Sequence, residues 1–453
     1  MQIRLNAFDM NCVGHQSPGL WAHPRDRSDT YNDLGYWTAL AKTLERGKFD
    51  ALFLADVLGI YDVYGASPAA AIRHGVQVPV NDPVLLVPAM ALVTEHLGFG
   101  VTCTLSYDAP YAFARRMSTL DHLTKGRIGW NIVTGYLNSA AKGMGLDNQL
   151  GHDQRYDAAE EYMAIVYKLW EGSWEEDAVR RDRAARVFAD PAKVHRVTYA
   201  GRHYRTDAIH LAEPSLQRTP VLYQAGASGR GRDFAAAHAE CVFINGPSER
   251  VVAPYVSDIR RRAVARGRAA GDVAIFTLAT VITGRSEAEA RAKEAEYRSY
   301  VDHEASLALL SGWTGIDFAK YGLDQPLRHV VTEAMRSAVE SFTSADPSRV
   351  WTVGELAEHV AIGGRGPVMV GSPQQVADSL IGWVEATGVD GFNLAYAVTP
   401  ESFTDFVDLV VPELQRRGVY KTDYRDGTLR EKLFGRARLP ASHPAAGHRH
   451  QAG

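Results

Sequence analysis

The sequence has few cysteines and no long uninterrupted apolar segment. Its 453 residues include only Cys12, Cys103 and Cys241, which lie far apart and form no Cys-x-x-Cys motif. This pattern excludes a disulfide framework and indicates a reduced, cytoplasmic protein. No segment reaches about 18 consecutive apolar residues. The N-terminus also has no basic region followed by an apolar one, so we expect neither a membrane span nor a signal peptide.

An excess of charge of either sign is also absent. Lys and Arg number 49 and Asp and Glu number 53, which gives a formal net charge of −4. Without a basic patch, a nucleic-acid partner is not expected. The 46% hydrophobic and 23% charged residues are ordinary globular proportions, which excludes a disordered or collagen-like chain.

Short apolar runs that predict strands alternate with segments of helical spacing. The continuous run 51–55 is typical of a strand buried on both faces. Eight strand–helix units predict a (β/α)8 TIM barrel, an α/β fold, with an open doubly wound sheet as the alternative. The predicted strands are 3–8, 51–55, 100–105, 128–133, 221–225, 242–245, 275–282 and 391–395. The main predicted helices are 36–46, 84–96, 111–123, 156–170, 231–239, 250–266, 286–300, 373–387 and 401–416.

Three stretches interrupt this alternation, at 57–80, about 172–218 and about 302–366. We expect them to be insertions into one barrel domain that spans residues 1–435. The third insertion is the longest and is expected to be mostly helical, covering the barrel mouth or carrying subunit contacts. Residues 436–453 are rich in His, Pro, Ala and Arg and are expected to form a C-terminal extension, extended or frayed.

Two polar residues lie in or just after predicted strands. Asp56 follows the run 51–55, and Asn131 lies inside the fourth strand. Active sites of barrels form at the C-terminal ends of the strands, so a carboxylate there could hold the polar edge of a cofactor. The alternatives are a helix cap or loop carboxylate for Asp56 and a satisfied core amide for Asn131.

A glycine-rich loop, residues 226–232, connects the fifth strand to a helix. Its small residues let backbone N–H groups approach a phosphate, Ser228 adds a hydroxyl, and two arginines add charge. His152, Arg155 and Tyr156 are expected in a loop that enters another helix, where they could also receive an anion. The alternatives are a tight strand-to-helix turn and a solvated helix end. The residues thus predict a monophosphate clamp and leave flavin, pyridoxal phosphate and sugar phosphate open.

Cys12 and His15 lie three residues apart just beyond the first strand. A single Cys–His pair does not make a zinc site, and no His-Glu-x-x-His motif occurs, so no metal is expected. The pair is either a buried thiol beside a loop histidine or part of a pocket lining.

Several longer strings carry a family resemblance: 6–15, 45–50, 118–127, 224–231 and 390–394. On these strings the chain resembles the bacterial-luciferase-like flavin-dependent monooxygenases, in the branch that acts on nitrilotriacetate, dibenzothiophene sulfone, long-chain alkanes and dimethyl sulfide. Strings 136–141, 312–320 and 393–400 are most similar to members that oxidise dimethyl sulfide. The first strand region and the stretch 52–64 are equally similar to members that oxidise long-chain alkanes.

The resemblance implies a barrel that binds reduced FMN from a separate NAD(P)H-dependent flavin reductase. With O2 it would insert one oxygen atom into an apolar substrate, here a small organosulfide such as dimethyl sulfide, and the chain would form a homodimer or homotetramer. The alternatives are a long-chain alkane or other xenobiotic as substrate, hydride transfer with a deazaflavin-type cofactor, and a non-catalytic flavin-binding subunit or subunit-partner protein.

By matching position, the resemblance implies cofactor contacts for Asp56, Thr102, Thr104, Asn131, His152, Tyr156, Ala227 and Ser228. It implies roles in the substrate pocket for Cys12, His15, Tyr61 and Arg155. Alkane-oxidising relatives carry His where this chain has Tyr136, so an acid–base role does not transfer, although Tyr136 could donate a hydrogen bond. The insertions 57–80 and 302–366 are the candidates for a lid that excludes water.

Overall fold

Eight parallel strands close into a barrel in the computed structural model of the protein, which describes residues 2–226, 228–327, 334–346 and 348–450 (the side chains of 336 and 337 excepted). Each strand pairs with the next along the chain, and the eighth pairs with the first. The TIM-barrel prediction is therefore confirmed. The strands are β1 (Arg4–Met10), β2 (Ala51–Ala55), β3 (Gly98–Thr104), β4 (Ile128–Val133), β5 (Val221–Ala225), β6 (Cys241–Ile244), β7 (Ala274–Thr283) and β8 (Gly391–Ala395).

Helices surround the barrel, and most of its apolar core lies between them and the strands. No helix in the described ranges is long and apolar enough to cross a bilayer. A π-helical turn, Phe406–Val410, joins two of the helices. The α-helices are Leu34–Arg46, Ala69–His74, Val87–Leu92, Pro110–Leu123, Asn138–Gly143, His152–Gly172, Gly229–His238, Glu249–Ala265, Glu287–Arg298, His303–Thr314, Arg336–Ser341, Val353–Val360, Pro373–Thr387, Glu401–Asp405, Val411–Arg416 and Leu429–Phe434.

A second apolar cluster fills the interior of the barrel. Phe8, Phe53 and Phe243, from β1, β2 and β6, pack edge to face with ring centroids 5.0–5.7 Å apart. Edge-to-face packing suits the charge distribution of aromatic rings. These rings also form the floor of the cavity described below.

Two helices differ from their predicted bounds by about a turn or more. The helix predicted at 156–170 begins at His152, so His152, Arg155 and Tyr156 lie in its first two turns and not in the preceding loop. Gly151 precedes it without a side-chain cap, so the usual start signal is missing. The segment predicted as a helix over 84–96 is a 3-10 turn, Pro83–Leu86, and a short α-helix. Pro88 lies in the first turn of that helix, where a missing N–H costs little.

The predicted insertions contain several kinds of local structure. The stretch 172–218 holds two antiparallel hairpins, Val179–Asp182 with Val187–Ala189 and Val197–Ala200 with Arg205–Ala208. Residues from 57–80 and 302–366 share one apolar cluster that includes Tyr61, Trp313 and Phe318, although 328–333 and 347 lie outside the described residues. A short strand that the sequence analysis missed, Val368–Gly371, pairs with the end of β7. The division into one domain with three insertions stays a prediction.

Residues 436–450 of the C-terminal segment are not frayed, so that alternative is wrong for the described part of it. Residues 436–450 pack on the barrel, with His443 Nε2 2.8 Å from the carbonyl oxygen of His238. Arg449 Nε donates to Glu171 Oε2 at 2.6 Å. Glu171 is buried, so its ion pair with Arg449 holds the segment in place.

Nearby, Glu175, His195 and His450 bring three possible metal-ligand atoms within 4.8 Å of one another, a grouping that the sequence analysis did not foresee.

Candidate active site

A large cavity opens at the C-terminal ends of the barrel strands, the end at which barrel active sites form. Its volume is about 1550 Å³, the open mouth included. Strands β1 to β6 all contribute side chains to it, and the insertion 302–366 contributes Trp313 and Arg365. The cavity therefore combines the barrel interior with residues distant in the sequence.

One end of the cavity is suited to an anion. The helices His152–Gly172 and Gly229–His238 both begin there, and helix N-termini carry partial positive charge. Ser228 Oγ accepts a hydrogen bond from the N–H of Gly231 at 3.0 Å and lies 3.3 Å from His152 Nε2. A Cβ atom at Gly231 would lie 2.9 Å from the Tyr156 hydroxyl, so a larger residue here would displace Tyr156 or Ser228.

The strand ends supply a polar wall with unused acceptors. Asn131 on β4 stands beside Thr102 on β3, and its Nδ2 donates to Thr102 Oγ1 at 2.8 Å. Asn131 Oδ1 and Gln224 Oε1 are buried and accept no hydrogen bond from any residue that the structure describes. Buried polar atoms are nearly always satisfied, so these two carbonyl oxygens fit a ligand edge that carries N–H donors.

Asp56 lies in the cavity wall directly after β2. Burial raises the pKa of its carboxyl to about 7, and the nearby Asp82 adds to the rise. The group therefore changes charge near neutral pH, so it can donate a hydrogen bond at lower pH and accept at higher pH.

A directed chain of hydrogen bonds runs along the aromatic side of the cavity. Gln77 Nε2 donates to the carbonyl oxygen of His15 at 2.6 Å, which leaves Gln77 Oε1 to accept from the Tyr61 hydroxyl at 2.8 Å. Tyr61 has only one hydrogen, so the 2.8 Å contact between the two tyrosine hydroxyls is donated by Tyr136. The Tyr136 oxygen is then an acceptor toward the cavity, the opposite of the donor role considered from the sequence. Burial lowers the pKa of His15 to about 3, so its ring is neutral.

A family model described as luciferase-like monooxygenase matches residues 8–391. This chain belongs to the luciferase-like monooxygenase family. Dimethyl-sulfide monooxygenase of Hyphomicrobium sulfonivorans is 54% identical over 450 residues, which cover 99% of this chain and 94% of the relative. Long-chain alkane monooxygenase of Geobacillus thermodenitrificans (strain NG80-2) is 49% identical over 452 residues, which cover 99% of this chain and 98% of the relative. A crystal structure of riboflavin lyase with modified FMN and riboflavin has a TM-score of 0.93 at 38% identity and covers 100% of both chains.

The cavity of this luciferase-like monooxygenase brings together most of the site residues expected from the sequence. Its lining includes His15, Asp56, Thr102, Thr104, Asn131, Tyr136, His152, Arg155, Tyr156 and Ser228. Their roles stay predictions. Cys12 and Tyr61 are buried but do not line the cavity; Tyr61 reaches it through Tyr136. Ala227 lies outside the described residues.

Among the polar and aromatic lining residues that the sequence analysis missed are Gln77, Gln224, Trp313 and Arg365. Gln224 lies near the end of β5, so the strand-end argument used for Asp56 could have found it. The other three lie in the insertions, where no strand or helix pattern indicates a position near the barrel mouth.

Proposed function

We propose that this luciferase-like monooxygenase is the oxygenase component of a two-component system that uses reduced FMN and O2 to oxygenate a small organosulfide such as dimethyl sulfide. The observation that carries the proposal is that one cavity joins an anion-binding end to buried, unused amide acceptors. FMN has a phosphate at one end and a polar ring edge with an N–H donor at the other. A sugar phosphate has no comparable ring edge.

His152, Tyr156 and Ser228 would hold the phosphate, and Asn131 and Gln224 would face the polar edge of the flavin ring. Bound reduced FMN would supply the two electrons that activate O2. The 38% identical riboflavin lyase, solved with a modified FMN, supports FMN over pyridoxal phosphate.

The residues of the chain itself would exclude water and fix the substrate. The insertion cluster around Tyr61 and Trp313 stands beside the cavity with both side chains buried. His15 is buried and neutral, so it offers no charge that would retain water. Tyr136 keeps its proton on Oη, since burial raises its pKa far above neutral.

The substrate proposal favours a small molecule at the aromatic end. The Tyr61 ring packs directly on Gly312, where an added Cβ would lie 1.9 Å from a ring carbon, so the two insertions are closely packed beside the cavity. The 54% identity to the dimethyl-sulfide enzyme supports a small substrate. A long-chain alkane is the second candidate, supported by the 49% identical relative.

For dimethyl sulfide, oxygen enters one methyl C–H bond and the C–S bond then breaks. Methanethiol, formaldehyde, water and oxidised FMN are formed.

The test is reconstitution of the purified chain with an NADH-dependent FMN reductase, FMN and O2. We expect methanethiol and formaldehyde from dimethyl sulfide and no alkanol from hexadecane. If hexadecane gives an alkanol and dimethyl sulfide gives no product, the substrate is a long-chain alkane. Substrate turnover without oxygen would contradict a monooxygenase and indicate hydride transfer. Failure to bind reduced FMN would indicate a non-catalytic subunit.

The reductase partner, the homodimer or homotetramer and the cytoplasmic location stay predictions. The three cysteines are buried free thiols, which agrees with a reducing compartment. Size-exclusion chromatography with light scattering measures the oligomeric state directly.

A further inference from the structure

Arg365 is a buried cation in the cavity wall. Only 8% of the residue is exposed, and its guanidinium stands 5.4 Å from the centre of the Trp313 ring. With the Asn245 amide turned so that its oxygen faces the arginine, Nη2 donates to that oxygen at 3.3 Å. No carboxylate among the described residues lies within 4 Å of the guanidinium. A buried charge without a counter-charge is costly, which indicates that a ligand completes the site.

The local backbone holds Arg365 in this position. Gly363 and Gly364 have φ angles of 78° and 66°, in the left-handed region that favours glycine. A Cβ atom at Gly363 would lie 2.4 Å from Thr280 Oγ1, and one at Gly364 would lie 2.1 Å from Gln16 Oε1. The N–H of Gly363 also donates to Ser17 Oγ at 3.1 Å. The turn is thus fixed against the barrel mouth and leaves the guanidinium beside the cavity.

Arg365 stays charged at neutral pH. Burial lowers its pKa to about 10, while the tyrosines Tyr136, Tyr255 and Tyr61 act in the opposite direction. Two of these, Tyr61 and Tyr136, form the hydrogen-bond chain at the aromatic end of the cavity. The cation therefore lies at the end proposed for the substrate. Its contacts, Trp313 and Asn245, are not those of the anion-binding end formed by His152, Tyr156 and Ser228.

We infer that Arg365 binds a carboxylate on the substrate, so that the cavity also accepts thioethers that carry a carboxylate. A guanidinium offers two parallel N–H donors that match the two oxygens of a carboxylate, and the contact with Asn245 occupies only one N–H. This inference rests on the proposed function, because it names a substrate class for the same cavity. The reaction is unchanged: a methyl thioether, O2 and reduced FMN give the carboxylated thiol, formaldehyde, water and oxidised FMN.

Calorimetric titration of the full chain with 3-(methylthio)propanoate tests the inference without turnover. Methyl propyl sulfide, similar in shape but uncharged, is the paired ligand. We expect Arg365→Met to weaken binding of the propanoate by at least about tenfold and that of the neutral sulfide by less than about twofold. Arg365→Lys should recover part of the propanoate affinity, because it keeps the charge. Arg349→Met, which removes an exposed arginine stacked on Trp351, should change neither ligand.

Several results would overturn the inference. One is that Arg365→Met weakens the binding of both ligands equally. A second is that the unmodified chain does not bind the propanoate. A third is that Arg365→Met weakens the binding of reduced FMN and not that of the propanoate. Circular dichroism of each variant checks that it is folded. Turnover is scored separately with reduced FMN and O2. If 3-(methylthio)propanoate binds through Arg365 but neither it nor dimethyl sulfide is oxygenated, the substrate inference and the proposed function both fail. If dimethyl sulfide alone is oxygenated, only the inference fails.

Discussion

The hydroxyl oxygens of Tyr61 and Tyr136 lie 2.8 Å apart, and the donor is Tyr136. This direction follows from Gln77, whose Oε1 accepts the only hydrogen of Tyr61. An insertion residue and a residue that follows a barrel strand are thereby joined at the wall of the cavity.

The direction of this chain predicts an order of stability for two variants. Tyr61→Phe leaves the buried Gln77 Oε1 without its donor and should lower the free energy of unfolding by about 1–3 kcal/mol. Tyr136→Phe keeps the Tyr61–Gln77 bond and should cost only about 1 kcal/mol or less. Urea unfolding measures both. If Tyr136→Phe lowers the free energy of unfolding more than Tyr61→Phe does, the assigned direction of these hydrogen bonds is wrong.

Ser228 should contribute to binding of the FMN phosphate. We expect Ser228→Ala to weaken reduced FMN binding about tenfold or more and to leave riboflavin, which has no phosphate, unaffected. The variant also loses the cap on Gly231, worth about 1 kcal/mol of stability. Ser286→Ala removes a similar cap, on Glu289, and Ser286 does not line the cavity, so it is the matched control. Equal weakening of riboflavin and FMN would contradict a phosphate contact.

The Asp56 carboxyl should make stability depend on pH. Its pKa is 3.8 in the unfolded reference and about 7 in the folded protein, so the folded state binds the proton more tightly. The stabilisation is complete below about pH 4 and is lost as the pH rises through about 7. From pH 5 to pH 8 the protein should therefore lose on the order of 2 kcal/mol relative to Asp56→Asn. Urea unfolding of both proteins at the two pH values measures this, and a difference that is the same at both would refute it.

Gly312 is predicted to be intolerant of a methyl group although it lies in a helix. Alanine there gains helix propensity but meets the Tyr61 ring, and overpacking of this kind costs about 1–3 kcal/mol. Gly382, in the helix Pro373–Thr387, has no other described atom within 4 Å of an added Cβ. Gly382→Ala should therefore stabilise the protein by up to about 1 kcal/mol. Thermal unfolding should show opposite shifts, and a lowered melting temperature for both variants would remove the steric explanation.

The barrel was predictable because its parallel strands are buried on both faces and appear as short apolar runs such as Ala51–Ala55. The packed C-terminal segment was not, since its position depends on single long-range contacts such as Arg449 with Glu171. In the site, Asp56 and Asn131 were predictable from their positions, one directly after a barrel strand and the other within one. Arg365 reaches the same cavity through the tight turn at Gly363 and Gly364. The local sequence does not predict where the chain runs after such a turn.

A single-turnover experiment tests the central claim most directly. FMN is reduced by light without any reductase, bound to the purified chain under anaerobic conditions, and mixed with oxygenated buffer that contains dimethyl sulfide. The proposed function predicts up to one methanethiol and one formaldehyde per bound FMN, and none when the sulfide or the oxygen is left out. Complete reoxidation of bound FMN with hydrogen peroxide as the only product would contradict dimethyl sulfide as the substrate.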